Sequence, residues 1–176
     1  MSAALALSAI TVTPVSLAAP PTEYEVKAVF LYNFSQFVSW PASAFDSPSA
    51  PFVIGVLGRD PFGAALESAV NGEHNGSHPI VTRRISNLAD LAACHIVFIE
   101  RSEFTRLGPI LQALHGHNTL TVSDAERAAQ RGVMIDFVTT DHHLRLQINL
   151  PAVEASGLSV SSKLLRPAEI VATEGG

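Results

Sequence analysis

The sequence predicts one α/β domain spanning residues 22–172. Its central sheet is mostly parallel, with helices on both faces in a Rossmann-like three-layer arrangement, and an antiparallel edge hairpin completes it. Three observations lead there. Short continuous apolar runs at residues 52–57 and 95–100 read as strands buried on both faces. Helical patterns alternate with those runs, which is the signature of right-handed βαβ units. Two alternating runs at 133–139 and 144–150 flank the polar turn 140–143 and read as a hairpin.

Taken in order, residues 1–19 read as an export leader. No charge falls between Ala3 and Ala19, and Ser16 and Ala18 occupy the −3 and −1 positions of a small-residue cleavage site. Cleavage is expected after Ala18 or Ala19. Residues 22–40 follow as a helix. Thr22 and Glu25 have the spacing of a capping box, and Pro41 ends the segment. Val26, Phe30, Asn33 and Phe37 fall on one face, so that face is expected to be buried, with the Asn33 amide tying the helix to a neighbouring loop. After the strand at 52–57, Asp60 and Pro61 are expected to open a helix to about residue 70. A polar hairpin-like loop spans 71–78, a short strand 80–84 and one or two helical turns 88–93. A helix over 103–114 and a strand over 118–122 come next. A helix over 124–130, closed by Gly132, precedes the hairpin. Short helices at 151–156 and 161–166 end the pattern, the last interrupted by Pro167.

Composition narrows the function. The chain is 47% hydrophobic and 15% charged, apolar enough for a real core. A net charge of −5 with only 11 scattered Lys and Arg argues against nucleic acid. Cys94 is the only cysteine, so no internal disulfide can form, and its place beside a strand predicts burial. The histidines at 115 and 117, 142 and 143, and 74 and 78 lack metal-ligand spacing and read as solvated loop residues; no metal or cofactor is expected. The turn from Gly55 to Gly63 matches no phosphate-binding pattern, and Asp60 would repel a phosphate there. No nucleophile elbow is present, and Asp136 reads as a residue on the polar face of an edge strand. The chain therefore reads as a binding protein and not as an enzyme. An alternative is a small-molecule sensor with a crevice at the strand carboxyl ends, formed by Arg59, Asp60, Glu100, Arg101 and Ser102, then Ser123 and Asp124.

Four stretches together carry a family likeness. They are residues 25–34 (EVKAVFLYNF) with 37–41 (FVSWP), 52–63 (FVIGVLGRDPFG), 94–99 (CHIVFI), and 147–150 (QINL) with 157–165 (GLSVSSKLL). In that combination the chain resembles the YfiR family of periplasmic regulators. The resemblance implies an α/β domain, often dimeric, that represses a membrane diguanylate cyclase by binding its periplasmic sensor domain, and so acts on cyclic-di-GMP and biofilm formation. It also implies an outer-membrane lipoprotein as a sequestering partner. Some relatives work with other receptors, including histidine kinases. Disulfides that support the fold of the family's namesake cannot form with Cys94 alone, so redox control does not carry over. For the contact surface, Lys163, Leu164, Leu165 and Arg166 combine charge with apolar reach.

Overall fold

The computed structural model describes residues 19–141 and 143–174. The expected leader therefore lies outside the described residues, apart from Ala19. The first element, α1 (Glu23–Phe37), begins with the expected capping box: Thr22 Oγ1 accepts from the Glu25 N–H, and the Glu25 carboxylate accepts from the Thr22 N–H.

Which face α1 buries differs from the expectation. Lys27, Ala28, Leu31, Phe34 and Ser35 are the buried residues. Each predicted position is displaced by one residue, a rotation of about 100° about the helix axis. Asn33 is only half-buried and makes no side-chain hydrogen bond among the described residues, so it is not the tie expected of it. The cause is composition. Val26, Val29, Phe30 and Phe37 make α1 apolar almost all round, and only the partner of Lys27 decides which side goes in.

Eight strands form the main sheet. They are β2 (Phe52–Leu57), β3 (His74–Asn75), β4 (His78–Ile85), β5 (Ile96–Ile99), β6 (Leu120–Ser123), β7 (Ile135–Thr140), β8 (His143–Asn149) and β10 (Glu169–Val171). Their spatial order is β10-β8-β7-β6-β5-β2-β4-β3. From β4 across to β7 every pairing is parallel, and β7–β8 is the predicted antiparallel hairpin. It is not at the margin, because β10 pairs in parallel with β8 and covers it. A separate two-stranded sheet joins β1 (Val38–Ser39) to β9 (Ser159–Val160).

Strand alternation divides the core into two layers. Phe52, Ile54, Val56, Ile96, Phe98, Leu120 and Val122 face α1 and α2 (Ala64–Val70). Val53, Leu57, Val97 and Ile99 face the opposite layer, under α3 (Leu107–Ala113) and the 3₁₀ turns. Cys94 is buried there as a free thiol. Burial pushes that thiol up to about 11, which leaves it inert as a nucleophile.

Three predicted helices are shorter than expected. Asp60 does not cap α2; its Oδ1 accepts from the Phe62 N–H in a tight turn, and the helix starts only after Gly63. Residues 101–106 are 3₁₀, and α3 takes over at Leu107. The expected helix at 124–130 is a pair of turns ending in a 3₁₀ segment at Ala129–Arg131, closed by Gly132 at φ 102°. The Ala125 N–H donates to Ser123 Oγ at 3.2 Å, and Arg127 at φ 57° interrupts the helix.

At the amino end of the strands, His95 is buried between the rings of Phe45 and Phe52, at centroid distances of 4.6 and 4.7 Å. Its Nδ1 accepts from the Val53 N–H at 3.1 Å, so Nε2 carries the proton and donates to the Ala44 carbonyl at 3.0 Å. That pair of bonds ties the 41–51 loop to the sheet. Of the loop histidines, His74, His115, His117 and His143 are exposed, while His78 stacks on Phe45. His142 lies outside the described residues.

Gly55 supplies a stringent test of the second layer. A Cβ built there would sit 2.7 Å from Cys94 Sγ and 3.1 Å from Ile85 Cγ1. Gly55→Ala is therefore expected to lower stability by about 1–3 kcal/mol through overpacking. The urea midpoint should fall with an unchanged slope.

Candidate functional site

The carboxyl ends of parallel strands are where an α/β sheet presents its polar groups. Here β2 leads to β4 on one side, while β5 lies on the other, so the order reverses between β2 and β5. That gap is filled. A Cβ on Gly58 would meet Glu103 Cγ at 2.8 Å and Glu100 Cβ at 3.2 Å, because the 101–106 turn folds down against it.

The expected crevice residues consequently disperse. Arg59 is exposed. Asp60 turns to Arg84, whose guanidinium it holds at 2.8–2.9 Å. Glu100 caps its own turn by accepting from the Ser102 N–H at 2.9 Å, and the Ser102 hydroxyl donates to the same carboxylate. Arg101 alone reaches inward, its Nη2 3.4 Å from Asp124 Oδ2.

Asp124 is the centre of the arrangement. It follows β6 directly, and its side chain is 1% exposed. Lys27, equally buried, places Nζ 2.7 Å from Asp124 Oδ2. The Tyr24 hydroxyl donates to the same oxygen at 2.8 Å. Glu23, one turn before Lys27, adds a second carboxylate at 2.6 Å from Nζ. Burial alone would push the Asp124 carboxyl up, but Lys27, Tyr24 and Arg101 outweigh it and hold the group below the usual carboxylate range. Tyr24 is driven the other way, up to about 12, by burial and by the carboxylate it serves. The phenol therefore stays protonated and keeps donating.

Asp136 lies beside this cluster. In register it is the cross-strand neighbour of Ser123. Contrary to the expectation of a solvent-facing residue, it is 1% exposed, because β7 is an interior strand flanked by β6 and β8. Its Oδ2 accepts from the Ala128 N–H at 2.9 Å, which folds the 125–131 turn over the strand ends. Burial pushes this carboxyl up to about 6, and the two backbone donors at Ala128 and Ala129 only partly offset that.

Arg101, Arg127, Gln130 and Glu126 line a groove above the two aspartates. The C-terminal segment straps one side of it: Asn149 Nδ2 donates to Thr173 Oγ1 at 2.8 Å, and the Arg127 guanidinium pairs with Glu174. The second expected surface lies elsewhere, beyond α4 (Leu150–Ala155), on α5 (Ser162–Leu165) and its C-cap Arg166. There Leu164 is buried in the core, Leu165 is half-buried, and Lys163 and Arg166 are exposed.

Sequence reasoning placed Asp124 and Arg101 in the polar crevice but missed Lys27 and Tyr24. A signal existed: Lys27 is the one cation in α1 and sits between the apolar Val26 and Ala28.

These features define a three-layer α/β domain whose first helix is clamped to a strand end by a buried ion pair. The sequence profile of the YfiR/HmsC-like family matches residues 24–169, and the chain belongs to that family. Its members are in general periplasmic regulators without catalytic activity. No curated protein matched the sequence. Among the described residues, no helix is long and apolar enough to cross a membrane.

Two expected outcomes follow from the cluster. Lys27→Met strands a buried carboxylate and should cost about 3–5 kcal/mol. Adding Asp124→Asn to it should recover a large part of that loss, as a double-mutant cycle in urea would report. Asp136 carries the opposite sign. Between pH 4 and 6 the native state holds a proton that the unfolded chain has released, so stability falls as pH rises through that window. Asp136→Asn should therefore raise stability at pH 7.5 by about 1 kcal/mol, a Tm gain of roughly 2–4 °C. That gain should vanish near pH 4, and scanning calorimetry at the two pH values checks both halves.

Proposed function

We propose that this protein is a periplasmic regulator that binds and represses the sensor domain of an inner-membrane signalling enzyme, a diguanylate cyclase in the first instance. The observation that carries the reading is the match to the YfiR/HmsC-like family across residues 24–169. Support comes from the uncharged apolar stretch before Pro20, which reads as an export leader. The geometry is consistent with a scaffold role. Asp124 spends one carboxylate oxygen, Oδ2, on Lys27 and Tyr24, which holds α1 in place.

Under this reading the output is cyclic-di-GMP level and, through it, biofilm formation. A histidine kinase is the alternative receptor, and an outer-membrane lipoprotein the sequestering partner. The protein itself acts as a monomer or a homodimer. The exposed cations of α5, Lys163 and Arg166, supply the contact surface, with Leu165 between them.

The test uses membranes from the source organism that bear the cyclase. Immobilised protein lacking residues 1–19 should retain the cyclase at physiological salt, and adding the protein should suppress cyclic-di-GMP synthesis. Lys163→Glu with Arg166→Glu should weaken retention about tenfold or more without lowering Tm. Unchanged synthesis together with no retention would refute the reading.

A further inference from the structure

Among the described residues, four buried side-chain N or O atoms lack a hydrogen-bond partner, and three of them belong to one groove. They are Asp124 Oδ1, Gln130 Oε1 and Asp136 Oδ1. A buried polar atom left unpaired costs about 1–3 kcal/mol, more when charged, so three together point to an occupant.

All three are acceptors, and the hydrogen-bond network fixes that. Glu169, an obligate acceptor when ionised, takes the Gln147 Nε2 proton at 2.9 Å. Gln147 Oε1 must then accept from Gln130 Nε2, which it does at 3.0 Å. The Gln130 amide is thereby oriented, and its oxygen is the atom left over. For the aspartates the second oxygen of each carboxylate is already used, by Tyr24 and Lys27 on one and by the Ala128 N–H, with the Ala129 N–H turned to the same carboxylate, on the other.

We propose that this groove, over the carboxyl ends of β5, β6 and β7, binds a small organic ammonium ion through Asp124 Oδ1, Gln130 Oε1 and Asp136 Oδ1. A primary ammonium offers three N–H donors and one positive charge, the complement of three acceptors of which two are carboxylate oxygens. An anion would meet the wrong charge at the floor. A hard metal ion would need six or more oxygens, and no cluster of three His, Cys, Asp or Glu among the described residues is arranged for one. The surrounding charge agrees: the carboxylates of Glu23, Asp124, Glu126, Asp136 and Glu174 outnumber the cations Lys27, Arg101 and Arg127 around the groove.

Arg101 is the competing cation. Its side chain is 61% exposed and contacts Asp124 only at 3.4 Å, the longest of the donor distances there. A bound ammonium would displace it from the Asp124 carboxylate. This inference deepens the reading of the strand ends as a small-molecule crevice. It requires no protein partner, so its failure and that of the repressor reading are separately visible.

The test is a titration of the full chain with ethylammonium, putrescine and spermidine, followed by Tm and calorimetry at pH 7.5. Tetramethylammonium, which has the charge but no N–H donor, and potassium chloride are the controls. At least one primary amine should raise Tm with saturation, and neither control should. Asp136→Asn should weaken that amine about tenfold or more while the circular dichroism stays native. Arg101→Ala should strengthen it several-fold by removing the competing cation. No saturable response to any amine, an equal response to tetramethylammonium, or loss of binding in Arg101→Ala would each overturn the proposal.

Discussion

The pairing of Lys27 with Asp124 is the constraint on which the rest of the domain depends. Neither side chain has meaningful contact with solvent. Each would be prohibitive to bury alone, so α1 has one rotation and one height at which both charges are satisfied. Leu31 and Phe34 follow into the core because they lie on the same face as Lys27. The aromatic contacts of Phe34 and Phe30 with Phe137 then extend the docking towards the hairpin. An ion pair of this kind contributes less to net stability than to uniqueness: a helix apolar on nearly all sides could otherwise dock in several ways.

Much of the fold was legible from local pattern. The β2 run, the capping box at Thr22 and Glu25, the burial of Cys94 and the β7–β8 hairpin all emerge because each is decided within a few residues. The errors share one origin. The buried face of α1 lies one residue from the expected one because Lys27 enters the core to meet a partner 97 positions away. The expected polar face of Asp136 is covered because β7 lies between β6 and β8 and the 125–131 turn folds over it through the Ala128 N–H. The expected 124–130 helix is broken at Arg127, whose φ of 57° lies outside the helical region, and the Ala128 N–H goes to Asp136. The candidate site was legible only in outline. Arg101 and Asp124 are adjacent to strand ends in sequence, whereas the convergence of Gln130 and Asp136 upon them is a property of the closed sheet.

The two ends of the sheet have different characters. At the amino end, His95 has both ring nitrogens satisfied and is enclosed by Phe45 and Phe52, an apolar seal over the 41–51 loop. At the carboxyl end, charges are dense and the hydrogen bonding is incomplete. The contrast is one of degree, since Trp40 Nε1, packed edge-on to Phe52 at the amino end, also lacks a partner.

The small β1–β9 sheet couples Val38 to Val160, close to the two limits of the folded region. A polypeptide emerging amino end first would therefore present its opening helix long before the segments that hold it exist. Such a chain has little reason to collapse prematurely, since the closing tie is among the last pieces to arrive. Completion of the native state is thereby timed by topology itself.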